Sequence, residues 1–202
     1  YSRVLASIAL AQVNGILQDT KTDPEILRPK FQATYQEAVA FAQSAVTKDP
    51  RSFDNFVTYG NVLATAVPLG IEGYYAEAKT AYAEAAKLNP KSPLIPYLLA
   101  RLEVDNKNIE ESKRYIGEAL QLKPNYIEAI VFLGRIQVGE GKTEDALASF
   151  TVAQSIEPQN QDIQTIINSL RNNVVQPRVQ SSSQPSTSST TATSTTNKSG
   201  IQ

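Results

Sequence analysis

Cysteine, histidine, methionine and tryptophan are all absent from this 202-residue chain. Without cysteine there is no disulfide framework and no thiol nucleophile. Without histidine as well, zinc sites of the usual kind and histidine-centred triads drop out. Only carboxylates, lysine, serine, threonine and tyrosine remain for chemistry. No set of them here is sufficient for catalysis, and neither a metal nor a cofactor is expected. A charge excess of one sign is lacking too: 19 Lys and Arg against 20 Asp and Glu leave a net charge of -1. That offers no bulk field for holding nucleic acid or an anionic membrane. Long apolar runs are missing. The best candidate, 4–17, is interrupted by Ser7, Gln12, Asn14 and Gly15, so the visible chain is not expected to insert into a bilayer. The missing methionine includes the initiator, so Tyr1 reads as an internal residue of a longer product, whose upstream part would carry any signal peptide or membrane anchor.

What is present falls into two unlike parts. From 181 to 199 the only residues other than Ser and Thr are Gln184, Pro185, Ala192, Asn197 and Lys198. Such a segment has nothing to bury against a backbone entropy cost of roughly 1 to 2 kcal/mol per ordered residue, so 176–202 is expected to be disordered. The rest is long enough for one domain or an array of small repeats.

Self-similarity decides between these. Four segments close on the same cadence: AVTKDP, AAKLNP, ALQLKP and AQSIEP, ending at Pro50, Pro90, Pro124 and Pro158. The last three prolines are 34 residues apart and the first gap is 40. Each cadence closes an Ala-rich amphipathic stretch, at 37–48, 75–88, 109–122 and 143–156, with apolar residues at helical spacing such as Ala78, Ala81, Tyr82 and Ala85. A second apolar helix precedes each of the later three, at 53–66, 94–104 and 128–138. Nothing alternates with period two, so the chain reads as all-α.

A 34-residue unit of helix, turn, helix and proline resembles the tetratricopeptide repeat. The letters agree best in 127–160, through Leu133, Gly134, Gly141, Ala146, Phe150, Ala153 and Pro158. The unit 93–126 carries Leu99, Ala100, Ile116, Ala119 and Pro124, with Ser112 where the family has Ala. The unit 53–90 carries Tyr59, Gly60, Gly73, Ala78, Tyr82, Ala85 and Pro90, with 67–72 inserted between its helices. The resemblance implies a right-handed α-α superhelix of about four helix pairs. They are a degenerate pair at 1–50, repeats at 51–90, 91–124 and 125–160, and a capping helix at 161–175 ahead of the tail. Sterically, small residues on facing helices permit close approach, the bulky residue one turn on fills the wedge, and proline redirects the chain. In the first unit the connection 19–29 is expected to be far too long for a repeat turn.

On such a stack the first helix of each pair lines a concave groove, which in this family binds extended peptides or helices. The groove-facing residues expected here are Asn61, Ala64 and Thr65, then Tyr97, Arg101 and Asp105, then Val131, Arg135 and Val138. Arg101 and Arg135 recur one repeat apart. They either grip acidic or carbonyl groups of a ligand or, as the favoured reading, pair with Asp105 and Glu128. The expected function is a protein–protein interaction scaffold with a protein or peptide ligand. The Lys and Asn set by which some family members clamp a C-terminal carboxylate is not reproduced. Tyr74, Tyr75, Tyr82 and Tyr97 are read as interhelical packing ahead of an aromatic platform. Glu110, Glu111, Lys113, Arg114 and Glu118 are read as an exposed helix face. More weakly, the chain is similar to the C-terminal repeat domains that follow multi-span membrane proteins in some bacteria, including relatives of O-antigen polymerases and ligases. That likeness implies an extracytoplasmic accessory domain of a membrane-embedded glycan polymerase or ligase, with catalysis upstream of Tyr1.

Overall fold

The computed structural model describes residues 1–175, so the Ser/Thr-rich segment expected to be disordered lies outside the described residues. Among the described residues nine α-helices follow one another: α1 (Ser2–Gln18), α2 (Pro24–Lys48), α3 (Phe53–Ala64), α4 (Tyr74–Leu88), α5 (Leu94–Asp105), α6 (Ile109–Leu122), α7 (Ile127–Gly139), α8 (Thr143–Ile156) and α9 (Gln161–Val175). The same residues contain no strand. Consecutive helices pair as hairpins, α1 with α2 through α7 with α8, and each hairpin packs on the next to build an all-α solenoid.

The proline cadence has a direct backbone consequence. Asp49, Asn89, Lys123 and Glu157 each precede a proline and cap a helix with φ between -145° and -124° and ψ between 78° and 94°. A following pyrrolidine ring disfavours the helical region, so each second helix stops at the same register. The side chain of Asn55 reinforces the first such stop, donating from Nδ2 to the carbonyls of Ala45 (2.9 Å) and Asp49 (3.2 Å).

Within a hairpin the turn demands a left-handed residue. Gly73 (φ 90°), Lys107 (φ 63°) and Gly141 (φ 75°) occupy that place, and their numbers differ by one repeat length. A side chain there costs roughly 1 to 2 kcal/mol, partly offset by the freedom glycine gives the unfolded chain. Lys107→Gly is therefore expected to stabilise the protein by about 0.5 to 1 kcal/mol, read as a higher urea midpoint with an unchanged slope. No gain would mean that the turn tolerates Lys107 without strain.

The core is a row of clusters along the stack. Ala6, Val13, Tyr35 and Ala38 form one end. Leu63, Tyr82, Leu98 and Leu102 follow, then Ala100, Ile116 and Ala129, then Ile130, Phe150, Ile163 and Ile167. Each cluster draws on neighbouring hairpins, so no hairpin buries its apolar face alone. At the far end α9 buries Ile163, Ile167 and Leu170 and exposes Gln161, Thr165, Asn168 and Ser169.

One local expectation needs correction. The connection expected over 19–29 closes at Asp23, because α2 starts at Pro24. Asp23 caps it by accepting the amide N–H of Glu25 at 2.8 Å, and Pro24 in the first turn has no N–H to leave unpaired. Pro29 sits inside the helix, close enough to its start that Phe31 and Tyr35, stacked at 5.6 Å, hold the turn onto the first cluster. The insertion at 67–72 folds back through Val67 alone: Val67 is buried in a short 3₁₀ turn, while Leu69 and Ile71 stay exposed.

Candidate functional site

The odd-numbered helices α1, α3, α5, α7 and α9 share one face, and that face carries two recesses. The first, of about 400 Å³, lies between α1, α3 and α5 and brings together Asn61, Ala64, Thr65, Arg101 and Asp105. The second, of about 370 Å³, lies between α5, α7 and α9 and holds Tyr97, Val131 and Arg135. All five residues expected to matter most, Asn61, Thr65, Tyr97, Arg101 and Arg135, thus line a recess, divided between two. Val138 lines neither and is exposed at the end of α7.

The floor of the first recess is rigid. Tyr82, buried behind it, donates from its hydroxyl to Asn61 Oδ1 at 2.8 Å. That bond uses the acceptor of the Asn61 amide and turns its N–H donors elsewhere. Burial pushes the Tyr82 phenol far above its ordinary pKa; nearby Arg101 lowers it and nearby Asp105 raises it. The Asp105 carboxyl is likewise raised, by burial first, with Arg101 acting in the opposite sense.

The favoured pairing of the two arginines fails. Among the described residues neither Arg101 nor Arg135 makes a salt bridge, with Asp105, Glu128 or any other acid. Helical side chains lean toward the N-terminus of their helix. The Arg101 guanidinium accordingly lies 6.0 Å from the ring centre of Tyr97, one turn back, and away from Asp105, one turn ahead. The result is an exposed guanidinium, backed by an aromatic ring, with its donors unclaimed.

The tyrosines are packing elements. Tyr97 meets Tyr126 and Phe132 edge-on at 5.6 and 5.9 Å, Tyr74 meets Tyr35 at 5.3 Å, and the Tyr75 hydroxyl donates to Glu103 at 2.8 Å. The charged run on α6 pairs within itself and with Glu140 just after α7: Arg114 with Glu111 and Glu118, Lys113 with Glu110 and Glu140. Such exposed pairs contribute little, because water and salt screen them. Several lining residues escaped the repeat register. Leu10, Asn14 and Leu17 come from α1, which lacks the repeat letters, and Glu157 and Asp162 come from the turn into α9 and its first turn. For the latter a signal was available: Asn160 caps α9 by accepting the Asp162 amide N–H at 3.1 Å, as Asp23 caps α2.

The family model of the tetratricopeptide repeat matches residues 97–126. Residues 97–126 are a tetratricopeptide repeat, and the solenoid as a whole has the tetratricopeptide repeat fold. The matched residues run from Tyr97 on α5, through α6, to Tyr126 before α7, so they carry part of the groove wall. Two solved structures share the fold. A thermophilic tetratricopeptide repeat protein of Thermus thermophilus has 18% identity and a TM-score of 0.61, over 83% of this chain and 91% of that one. MamA has 15% identity and a TM-score of 0.54, over 76% and 85%. A curated relative, BBSome complex member BBS4 of Xenopus tropicalis, is 31% identical over 136 residues, and this chain spans 25% of its length. The tetratricopeptide repeat is a fold of protein–protein interaction scaffolds, which bind peptides or proteins. These likenesses lend nothing to the resemblance with envelope proteins. No helix among the described residues is long and apolar enough to cross a membrane.

Proposed function

We propose that this domain captures an extended segment of a partner protein along the face made by its odd-numbered helices, with Arg101 as the principal charged contact. The observation that carries this reading is the state of Arg101. It is exposed at the mouth of a recess that already offers Asn61 and Thr65, and it has no ion-pair partner among the described residues. An unclaimed guanidinium supplies two parallel donors to a carboxylate or to backbone carbonyls without first breaking an internal pair. The relative BBS4 is by name a member of a complex, which is in keeping with a protein partner.

The test is charge reversal. Arg101→Glu is expected to lower partner affinity at least tenfold while leaving helical content and melting temperature nearly unchanged, because the side chain is exposed and unpaired. Arg135→Glu is expected to have a smaller effect, since Arg135 shares its recess with Glu128, Glu157 and Asp162. Full affinity in the Arg101 variant would move the docking site off this face.

A further inference from the structure

The two recesses differ in charge, and the difference sets a direction along the groove. The first contains one base and one acid, Arg101 and Asp105, and the acid is the more buried of the two. The second contains Arg135 against three carboxylates, Glu128, Glu157 and Asp162. None of these four makes a salt bridge among the described residues. The Glu157 carboxylate receives one hydrogen bond, from the Asn160 side-chain amide at 2.9 Å. The carboxylates do not converge tightly enough to hold a metal ion; they are spread around a recess whose wall is the edge-on pair Tyr97 and Phe132. A cavity rimmed by spaced acids and lined by Tyr97, Phe132, Val131 and Ile166 complements a long cationic side chain, whose methylenes meet the apolar lining while its head reaches the carboxylates.

We infer that the bound segment is charge-polarised: it places an acidic or carbonyl-rich stretch at Arg101 and a lysine or arginine in the recess between α5, α7 and α9. Arg101 stands on α5 and the acids stand on α7 and around the start of α9, so with successive lining helices roughly 10 Å apart the two contacts are separated by about 10 to 20 Å. At about 3.3 Å per residue this corresponds to roughly three to six positions of an extended chain. A ligand with two acids would meet three carboxylates at its far end; a ligand with two bases would meet Arg101 at its near end. Only the mixed segment satisfies both recesses, and it can lie in only one direction. This inference rests on the groove reading given above.

A phage-displayed library of random dodecapeptides, selected on the full chain, tests it. The expected result is enrichment of peptides with Asp or Glu about three to six positions from Lys or Arg. Neutralising the second recess, by Glu128→Gln with Glu157→Gln and Asp162→Asn, should weaken the selected peptides at least tenfold in fluorescence anisotropy. It should leave unchanged the binding of the same peptides with their basic residue replaced by alanine. Circular dichroism of this variant confirms that α9 remains folded. Enriched peptides that depend on Arg101 but carry no basic position, or a second acid there, overturn the polarity and leave the groove standing. Peptides indifferent to both recesses, or no enrichment at all, overturn the groove and the polarity together.

Discussion

Lys79→Met is expected to destabilise the protein by about 3 kcal/mol at neutral pH, the low end of the cost of stranding one partner of a buried ion pair. The pair joins α4 to α5: Lys79 Nζ lies 2.9 Å from Glu103 Oε1, with the lysine side chain 40% exposed and the glutamate fully buried. The Tyr75 hydroxyl donates to the same oxygen at 2.8 Å, which keeps the loss from being larger. Glu103 Oε2 and Ser112 Oγ are both buried without a hydrogen-bond partner among the described residues, so once Lys79 is removed Tyr75 is the one donor left to the carboxylate among those residues. The loss corresponds to a fall of roughly 6 to 12 °C in melting temperature for a domain of this size.

The pH dependence has a definite sign on the alkaline side. In the parent protein the Lys79 ammonium is held above the ordinary lysine value of 10.5, chiefly by its hydrogen bond to Glu103. A raised pKa means that this stabilisation is complete below the unfolded lysine value and is lost as pH rises through the folded one. The melting temperatures of parent and variant should therefore keep their separation below the ordinary lysine value of 10.5 and draw together as pH rises beyond it. The double variant Lys79→Met with Glu103→Leu should recover most of the lost stability, since an apolar pair of similar volume leaves no charge to desolvate. A double variant weaker than the single one would show that the pair matters for its shape and not for its charge.

Gly60→Val is the second large effect, expected to cost about 3 kcal/mol or more from overpacking. A Cβ on Gly60 would stand 2.4 Å from Tyr82 Cε1 and 2.6 Å from Cδ1. The ring cannot retreat, because it is buried in the second cluster and its hydroxyl is tied to Asn61. The equivalent change Gly134→Val should cost less, since a Cβ there meets Phe150 at 2.9 Å and that ring has no polar tether. Denaturant midpoints should fall in that order. Tyr82→Leu, mildly destabilising alone, should soften the effect of Gly60→Val by removing the atoms it strikes. Additive losses would show that the clash is relieved by backbone movement. Because Tyr82 sets the Asn61 amide at the floor of the first recess, Gly60→Val should also weaken ligand capture, whereas Gly134→Val should spare that recess.

The legible part of the fold is the part written in steric terms. Gly60 and Gly134, with Tyr82 and Phe150 across from them, announce contact between facing helices, because only the smallest residues allow that approach. The prolines announce helix ends for a local reason that no tertiary contact can reverse. The start of α2 is harder to read, because Pro29 suggests a stop while Asp23 and Pro24 have already built a good beginning five residues earlier. The groove residues are legible by register alone. The behaviour of Arg101 and Arg135 is not: an acid one or two turns away on the same helix suggests a pair, but the lean of a helical side chain and the position of Tyr97 decide otherwise.

By itself the order of residues determined the repeat length, the alternation of small and bulky contact positions, the helix ends and the exclusion of thiol and imidazole chemistry, since each depends on atoms close in sequence or on composition. Tertiary structure alone decided which charges stay unclaimed, how Glu103 came to be sealed beneath Lys79 and Tyr75, and that carboxylates from α7, the turn after α8 and α9 share one recess. Those outcomes depend on distances between side chains brought together from separate helices, and electrostatic energy follows distance and burial, neither of which is readable along the chain.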